Sequence, residues 1–580
     1  MTCKERILSN DYVDVLFDFV FPKEYNIESQ ADYCYHSLNG NLGIFFIERS
    51  AVVGESNAIR SYYSFLPKCY GLMELGTENK LKAAQDDNLN TLALTESGIL
   101  SVQRGPLNLT GKNVTIGFID TGVRYQDPVF LDIGGKSRIV SIWDQTIQTG
   151  TPPEGFEYGT EYTNEMLNEA LANDNPLSVV PSTDANGHGS VMASVAAGSL
   201  LEGGRFIGAA PDSRIAVVKL KEAKPYLREL YKIPPGVPCY SESDILMAIQ
   251  YLQKYVQILS RPLVICLGIG TSMGDHTGSG ILGTFMQYLG RQKSRIFVVA
   301  GGNEGNSSHH FFGEISEREP YQDIELRVGE NERGFIMDLW GNAPYYYNAT
   351  IRSPGGEYVR WNSPRDATRR EFTFIYERTH LIIENLLVEQ ASGSEFIRFR
   401  FIDPTEGIWT IRINSEGNTI GGSFDVWLPI TQFLSSNTYF LESSPKTTIT
   451  EPAYVHSAVS VANYQMINNS IATSSGRGYA RDNYVVPDVA APGVDVSTPF
   501  GERSGSSVSA AITAGACAQL LEWAVVNSND VLVNSTNIKN YLIRGARRES
   551  YLEYPNREWG YGRLDVQGVF DSLAGLGQGT

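Results

Sequence analysis

The sequence predicts an α/β protein: a buried parallel sheet flanked by helices, a small α/β unit ahead of it, and an antiparallel β domain inserted into it. Three observations carry this prediction. Near-continuous apolar runs at residues 114–119, 214–220, 263–268 and 296–300 alternate with helical stretches at 191–200, 241–259 and 281–289. That rhythm belongs to strands buried on both faces and joined by crossover helices. Between about 310 and 445 it gives way to short β-rich runs separated by turn residues, the pattern of an antiparallel sandwich. The α/β pattern then resumes at 457–462 and closes with helices at 508–526 and 537–544.

A chain of 580 residues is expected to hold more than one domain. The changes of pattern place an N-terminal unit at residues 1–92, the first part of the sheet domain at 93–309, the insert at 310–445 and the second part of the sheet domain at 446–580. In the N-terminal unit, 12–20 and 42–48 read as strands and 57–65 as a helix ahead of Pro67. Residues 74–92 are polar and lack apolar periodicity, so they read as a linker or a cleavable junction. In the insert, strands are expected at 324–328, 334–339, 346–351, 371–376, 394–402, 408–413 and 422–428.

With 42% hydrophobic and 19% charged residues, the composition is that of a soluble globular protein. A net charge of −18 argues against nucleic acid and anionic lipid as partners. No run reads as a membrane helix, so no membrane partner is expected. Asp14 and Asp18 interrupt the apolar opening; the expectation is synthesis in the cytoplasm without a signal peptide. The cysteines, at 3, 34, 69, 239, 266 and 517, stand singly. That spacing favours free thiols in a reducing compartment over a disulfide framework or a zinc site.

Four short stretches carry chemistry. Ser507 follows Gly505 and Ser506 and opens the long apolar helix, where its backbone N–H is free to bind an oxyanion. Taken alone it is an ordinary helix cap. Asp120 ends the strand at 114–119 and is followed by Thr121 and Gly122; the C-terminal end of a parallel strand is a common place for function. His188 lies between Gly187 and Gly189, ahead of a helix of small residues, which leaves its ring unobstructed. Asn303 follows Ala300, Gly301 and Gly302 at another strand end and offers an amide donor.

Asp120, His188 and Ser507 stand in the chain order of subtilisin, and the surrounding residues resemble the subtilase motifs: Ile119 to Gly122, Asn186 to Ser190, Gly505 to Ala510, and Ala300 to Asn303. Cys266, Leu267 and Gly268 resemble the strand that lines the substrate groove in that family. The N-terminal unit, the insert between Asn303 and Ser507, and the runs Asp127 to Phe130 and Ser141 to Gln145 resemble the Csp proteases of clostridia and related gut Firmicutes. The resemblance implies a subtilisin-like parallel sheet flanked by helices, an N-terminal α/β propeptide domain and an inserted antiparallel β jelly roll.

It further implies a serine endopeptidase acting on protein or peptide substrates, with Ser507 as nucleophile, His188 as base, Asp120 orienting it and Asn303 in the oxyanion hole. Cys266, Leu267, Gly268, Ala300, Gly301 and Gly302 would line the substrate site. The propeptide would be cut by the enzyme itself within residues 74–96, with the junction placed at Leu92 and Ala93, and would stay bound non-covalently. No cofactor is required for this chemistry; structural calcium occurs in the family, without ligands assignable here. Some Csp proteases activate a spore cortex hydrolase, so activation of a protein zymogen and association with a spore enter as expectations. Others are pseudoproteases, and a catalytically silent scaffold is the alternative. The chain departs from the family pattern at Ser190, Cys266, Ser506 and Ala511, all small residues. Cys266 would place a thiol beside the groove.

Overall fold

The computed structural model describes residues 1–18, 34–39, 41–50, 65–73, 75–76, 89–362, 368–416 and 421–575. The helix expected at 57–65 and most of the linker expected at 74–92 lie outside the described residues. The body is a nine-stranded sheet. Its centre is parallel: Val459–Gln465, Arg295–Ala300, Leu263–Leu267, Thr115–Asp120, Arg214–Lys219 and Ile139–Asp144 lie side by side in that order. Val489–Pro492 also joins in parallel; Ser470–Ile471 and Thr160–Thr163 add antiparallel edges. The Thr115–Asp120, Leu263–Leu267 and Arg295–Ala300 strands are buried along their whole length, which is why each appears in sequence as an unbroken apolar run.

One apolar cluster fills each side of this sheet. The Ser506–Leu521 helix lies wholly inside, every residue buried. It packs on the His188–Ala197 helix through small residues: a Cβ on Gly515 would come within 2.8 Å of the Ala196 carbonyl and 2.3 Å of the Ala209 Cβ. With its π-helical continuation, Ser506–Val526 is the one helical run among the described residues that is long and apolar enough to cross a membrane. The expectation that no such run exists is corrected here. It is a core helix, 89% of its apolar window lying inside the protein.

The insertion runs from the His310–Ile315 strand to the Tyr439–Phe440 strand and forms two antiparallel sheets, of six and five strands. Their inner faces share one core, with Phe335 and Phe399 from one sheet meeting Leu326 and Ile411 from the other, a sandwich that satisfies its own apolar surface.

At the N-terminus, the Cys3–Leu8 helix precedes an antiparallel sheet in the order Tyr12–Asp18, Leu42–Glu48, Cys34–Ser37. Cys3 and Cys34 form a disulfide, with their Cα atoms 5.3 Å apart. This corrects the expectation that all the cysteines are free; Cys69, Cys239, Cys266 and Cys517 are. The pairing is made by packing a helix against a strand 31 residues away, which single spacings in a sequence do not disclose.

Candidate active site

Asp120 sits at the C-terminal end of its strand and His188 opens its helix. His188 Nδ1 lies 2.8 and 2.9 Å from the two Asp120 carboxylate oxygens, and Nε2 lies 3.1 Å from Ser507 Oγ. All three side chains are buried. Burial would push the imidazole pKa down, but the Asp120 charge and hydrogen bond, with the Met73 carbonyl and the Asp184 charge, hold it above its ordinary value.

Asp184 braces this arrangement from behind. Its carboxylate accepts from Thr121 Oγ1 at 2.8 Å, the Gly187 N–H at 2.7 Å and the Ser190 N–H and hydroxyl at 2.8 and 2.7 Å. Thr121 Oγ1 in turn accepts the Gly189 N–H at 3.0 Å. Sequence reasoning gave Asp184 no role. Its position four residues before His188 was the available signal. Ser190, a departure from the family pattern, still supplies the hydroxyl.

Asn303 Oδ1 accepts the Ser506 N–H at 3.1 Å. An amide held by its oxygen keeps its NH2 as the donor end, beside the start of the Ser507 helix. Gly268 is required by its surroundings: a Cβ there would lie 2.8 Å from His188 Cε1 and 3.0 Å from Ser507 Oγ.

The groove is occupied by the chain itself. Cys69–Leu72 is a strand paired antiparallel with Ile269–Gly270 on one side and Tyr240–Ser241 on the other. The Met73 N–H donates to the Gly268 carbonyl at 2.9 Å, and the Met73 carbonyl accepts from Ser507 Oγ at 2.9 Å and faces His188 Nε2 at 3.2 Å. Further on, Gly76 and Ser504 exchange backbone hydrogen bonds of 2.8 and 2.9 Å. A cleft of about 620 Å³, lined by Leu72, Leu75, His188 and Phe500, opens beside this segment.

The Met73 side chain is buried, and Thr450 Oγ1 donates to its sulfur at 3.7 Å. Thr450 stands between Gly270 and Gly302, where a Cβ would come within 2.4 and 2.7 Å of its hydroxyl. Of the residues expected to line the groove, Gly268 thus lies beside His188 and Ser507, and Gly302 beside Thr450. Cys266 does not line it. Its side chain is turned into the core with Val508, Ile512 and Cys517, and burial raises its thiol pKa well above the ordinary value. Leu267 points to the opposite core, as alternation along a strand requires. Ala300 is likewise a core residue, and Gly301 contributes its backbone, bonded to Val461 and Thr450. Leu92 and Ala93 lie on the Leu89–Glu96 helix, with Ala93 fully buried. The residue whose carbonyl oxygen meets Ser507 is Met73, and the expected junction is corrected accordingly: Leu92 is exposed and Ala93 buried, and their bond lies inside a helix away from Ser507. Met73, Thr450, Tyr240 and Ser241 were missed because only the fold brings them together.

The subtilase family matches residues 111–323 and 405–562, more than half of the chain. This chain belongs to the subtilase family. The gap in the match falls inside the inserted sandwich. Among solved structures, the CspB protease of Clostridium perfringens is similar with a TM-score of 0.73 and 29% identity, over 83% of this chain and 97% of that one. Among curated proteins, the subtilisin-like protease SBT3.3 of Arabidopsis thaliana is 32% identical over 34% of this chain and 26% of its own length. SBT3.6 of the same plant is 26% identical over 71% of this chain and 56% of its own. The chain thus spans from about a quarter to about half the length of these plant relatives. Among the described residues no group of three or more His, Cys, Asp or Glu side chains could hold a metal ion, and no calcium site is assigned.

Proposed function

We propose that this subtilase is a serine endopeptidase that cuts its own chain after Met73 and keeps the severed N-terminal unit in its groove. The observation that carries the reading is the Met73 carbonyl oxygen, which accepts a hydrogen bond from Ser507 Oγ at 2.9 Å at the end of a strand bonded on both edges. Ser507 Oγ attacks the Met73 carbonyl carbon, and His188 Nε2 takes the hydroxyl proton. Asp120 holds the Nδ1–H tautomer and balances the imidazolium charge. The oxyanion is met by the Ser507 N–H and the Asn303 amide. Collapse breaks the bond to the next residue, His188 returning the proton to the leaving amine. Water then releases the Met73 carboxylate by the same steps in reverse. Once the N-terminal unit is displaced, a protein or peptide segment takes the same extended course. Activation of a protein zymogen is the role we propose for it, on the motif resemblance to the Csp proteases.

Intact mass of the purified protein beside Ser507→Ala tests this. Fragments 1–73 and 74–580 in the parent, with a single uncut chain in the variant, are expected. One uncut chain in both would turn the assignment toward a binding scaffold. Asn303→Ala should slow self-cleavage by about 10²–10³, the size of the same loss in subtilisin itself.

A further inference from the structure

The groove continues beyond the paired strand, and there it meets charge. Lys68 is the sixth residue back from the bond after Met73, counting Met73 as the first. Glu242, at the head of the Glu242–Leu252 helix, grips it three ways. The Glu242 N–H donates to the Lys68 carbonyl at 3.0 Å, one carboxylate oxygen accepts the Lys68 N–H at 3.0 Å, and the other lies 3.5 Å from the ammonium. That second oxygen also accepts the Leu282 N–H at 3.2 Å.

The ammonium faces a cavity of about 280 Å³ whose walls include Asp275, Glu389 and Glu451 besides Glu242. Glu451 is 94% buried, only 6% of it being exposed. One of its oxygens accepts the Gly278 N–H at 3.3 Å. Burial, then the Asp275 charge, pushes its carboxyl up to about 8, against the pull of Lys68. Burial would lower the Lys68 pKa, yet the charges of Glu242, Glu451, Asp275 and Glu389 raise it. Glu451 is then mostly neutral at pH 7; carboxylates such as Glu242, Asp275 and Glu389 gathered in a buried wall are costly unless a cation compensates them, and here the compensating cation comes from the segment lying where a substrate lies.

We propose that this cavity is a substrate subsite that takes a basic side chain, lysine or arginine, at the sixth residue before the cleaved bond. The proposal rests on the groove's being a protease groove, as argued above. It sets a chemical requirement on targets: an extended segment with a positive charge a fixed distance upstream of the cut, some six residues or about 20 Å of strand.

Two measurements test it. In the full-length Ser507→Ala chain, hydrogen exchange at the Tyr70 to Met73 amides reports how firmly the segment is seated, with no need for catalysis. Lys68→Arg should leave exchange unchanged, Lys68→Met should speed it at least tenfold, and Lys68→Glu more. In the self-processed protein, fluorogenic peptides spanning residues 66–76, with serine for cysteine, would carry Lys, Arg, Met or Glu at that position. The retained N-terminal unit competes equally with every peptide, so ratios of kcat/KM are unaffected by it. Lys and Arg peptides should exceed the Met peptide at least tenfold. Equal exchange for Lys68 and Lys68→Met, or equal cleavage of the Lys and Met peptides, overturns the subsite. If no peptide is cut and the chain does not process itself, the protease reading fails separately, and the exchange series still decides whether the cavity selects a cation.

Discussion

His188 sets the pH at which the site can work. Its pKa stands above the ordinary 6.5 because the Asp120 charge and hydrogen bond, the Met73 carbonyl and the Asp184 charge together outweigh burial. A general base must be neutral, so self-cleavage should be slow below that raised pKa and climb with pH to a plateau above it, with a slope of about one on a logarithmic scale. First-order rates of fragment formation across a pH series check this, and a midpoint below 6.5 would remove Asp120 as the dominant influence. The three side chains that the fold brings together were legible as candidates in the sequence because each stands where its neighbours leave room: Asp120 at a strand end, His188 between glycines, Ser507 after Gly505. Cys266 misled for the opposite reason. Its motif touches the groove only through the Gly268 backbone, while the thiol, two positions earlier, faces inward with Cys517.

Among elements, the parallel strands were legible because burial on both faces writes itself as unbroken apolar runs. The course of Cys69–Leu72 was not. Its partners, Ile269–Gly270 and Tyr240–Ser241, are two-residue strands, too short for any pattern, and its hydrogen bonds join distant parts of the chain. The strand Tyr12–Asp18 makes a second such attachment. Asp14, 1% exposed, accepts from Lys224 Nζ at 2.7 Å and Ser243 Oγ at 2.6 Å, and its N–H donates to Tyr226 Oη at 2.9 Å. Removing one partner of a buried ion pair costs about 3–5 kcal/mol. Asp14→Ala should therefore loosen the cut N-terminal unit from the body by that order. Size-exclusion chromatography of the processed protein would show the fragment leaving, where in the parent it co-elutes; co-elution in the variant would mean that the groove contacts alone suffice.

Across the whole molecule, the insertion is docked and helps to build the groove. His276 of the body stacks on Trp427 of the insertion, ring centroids 3.7 Å apart, and Arg481 reaches Asp425 at 3.2 Å and Asn342 at 2.7 Å. The loop between the last two strands of the sandwich passes over the Cys69–Leu72 strand: Gln432 donates to the Leu72 carbonyl, and Thr431 is bonded through its N–H and hydroxyl to Glu304, the neighbour of Asn303. The sandwich itself was legible as a change of rhythm. The loop's passage over the groove was not, because one glutamine amide carries that contact.

The Met73 carbonyl reaches Ser507 on a tether, and a tether alters what dilution can do. Two separate molecules meet less often as they are thinned out; a strand folded into its own groove does not. On the proposed self-cleavage, each copy would carry its own timer, started when the fold closes around residues 69–73, and a population would mature at one pace whether the protein is scarce or abundant.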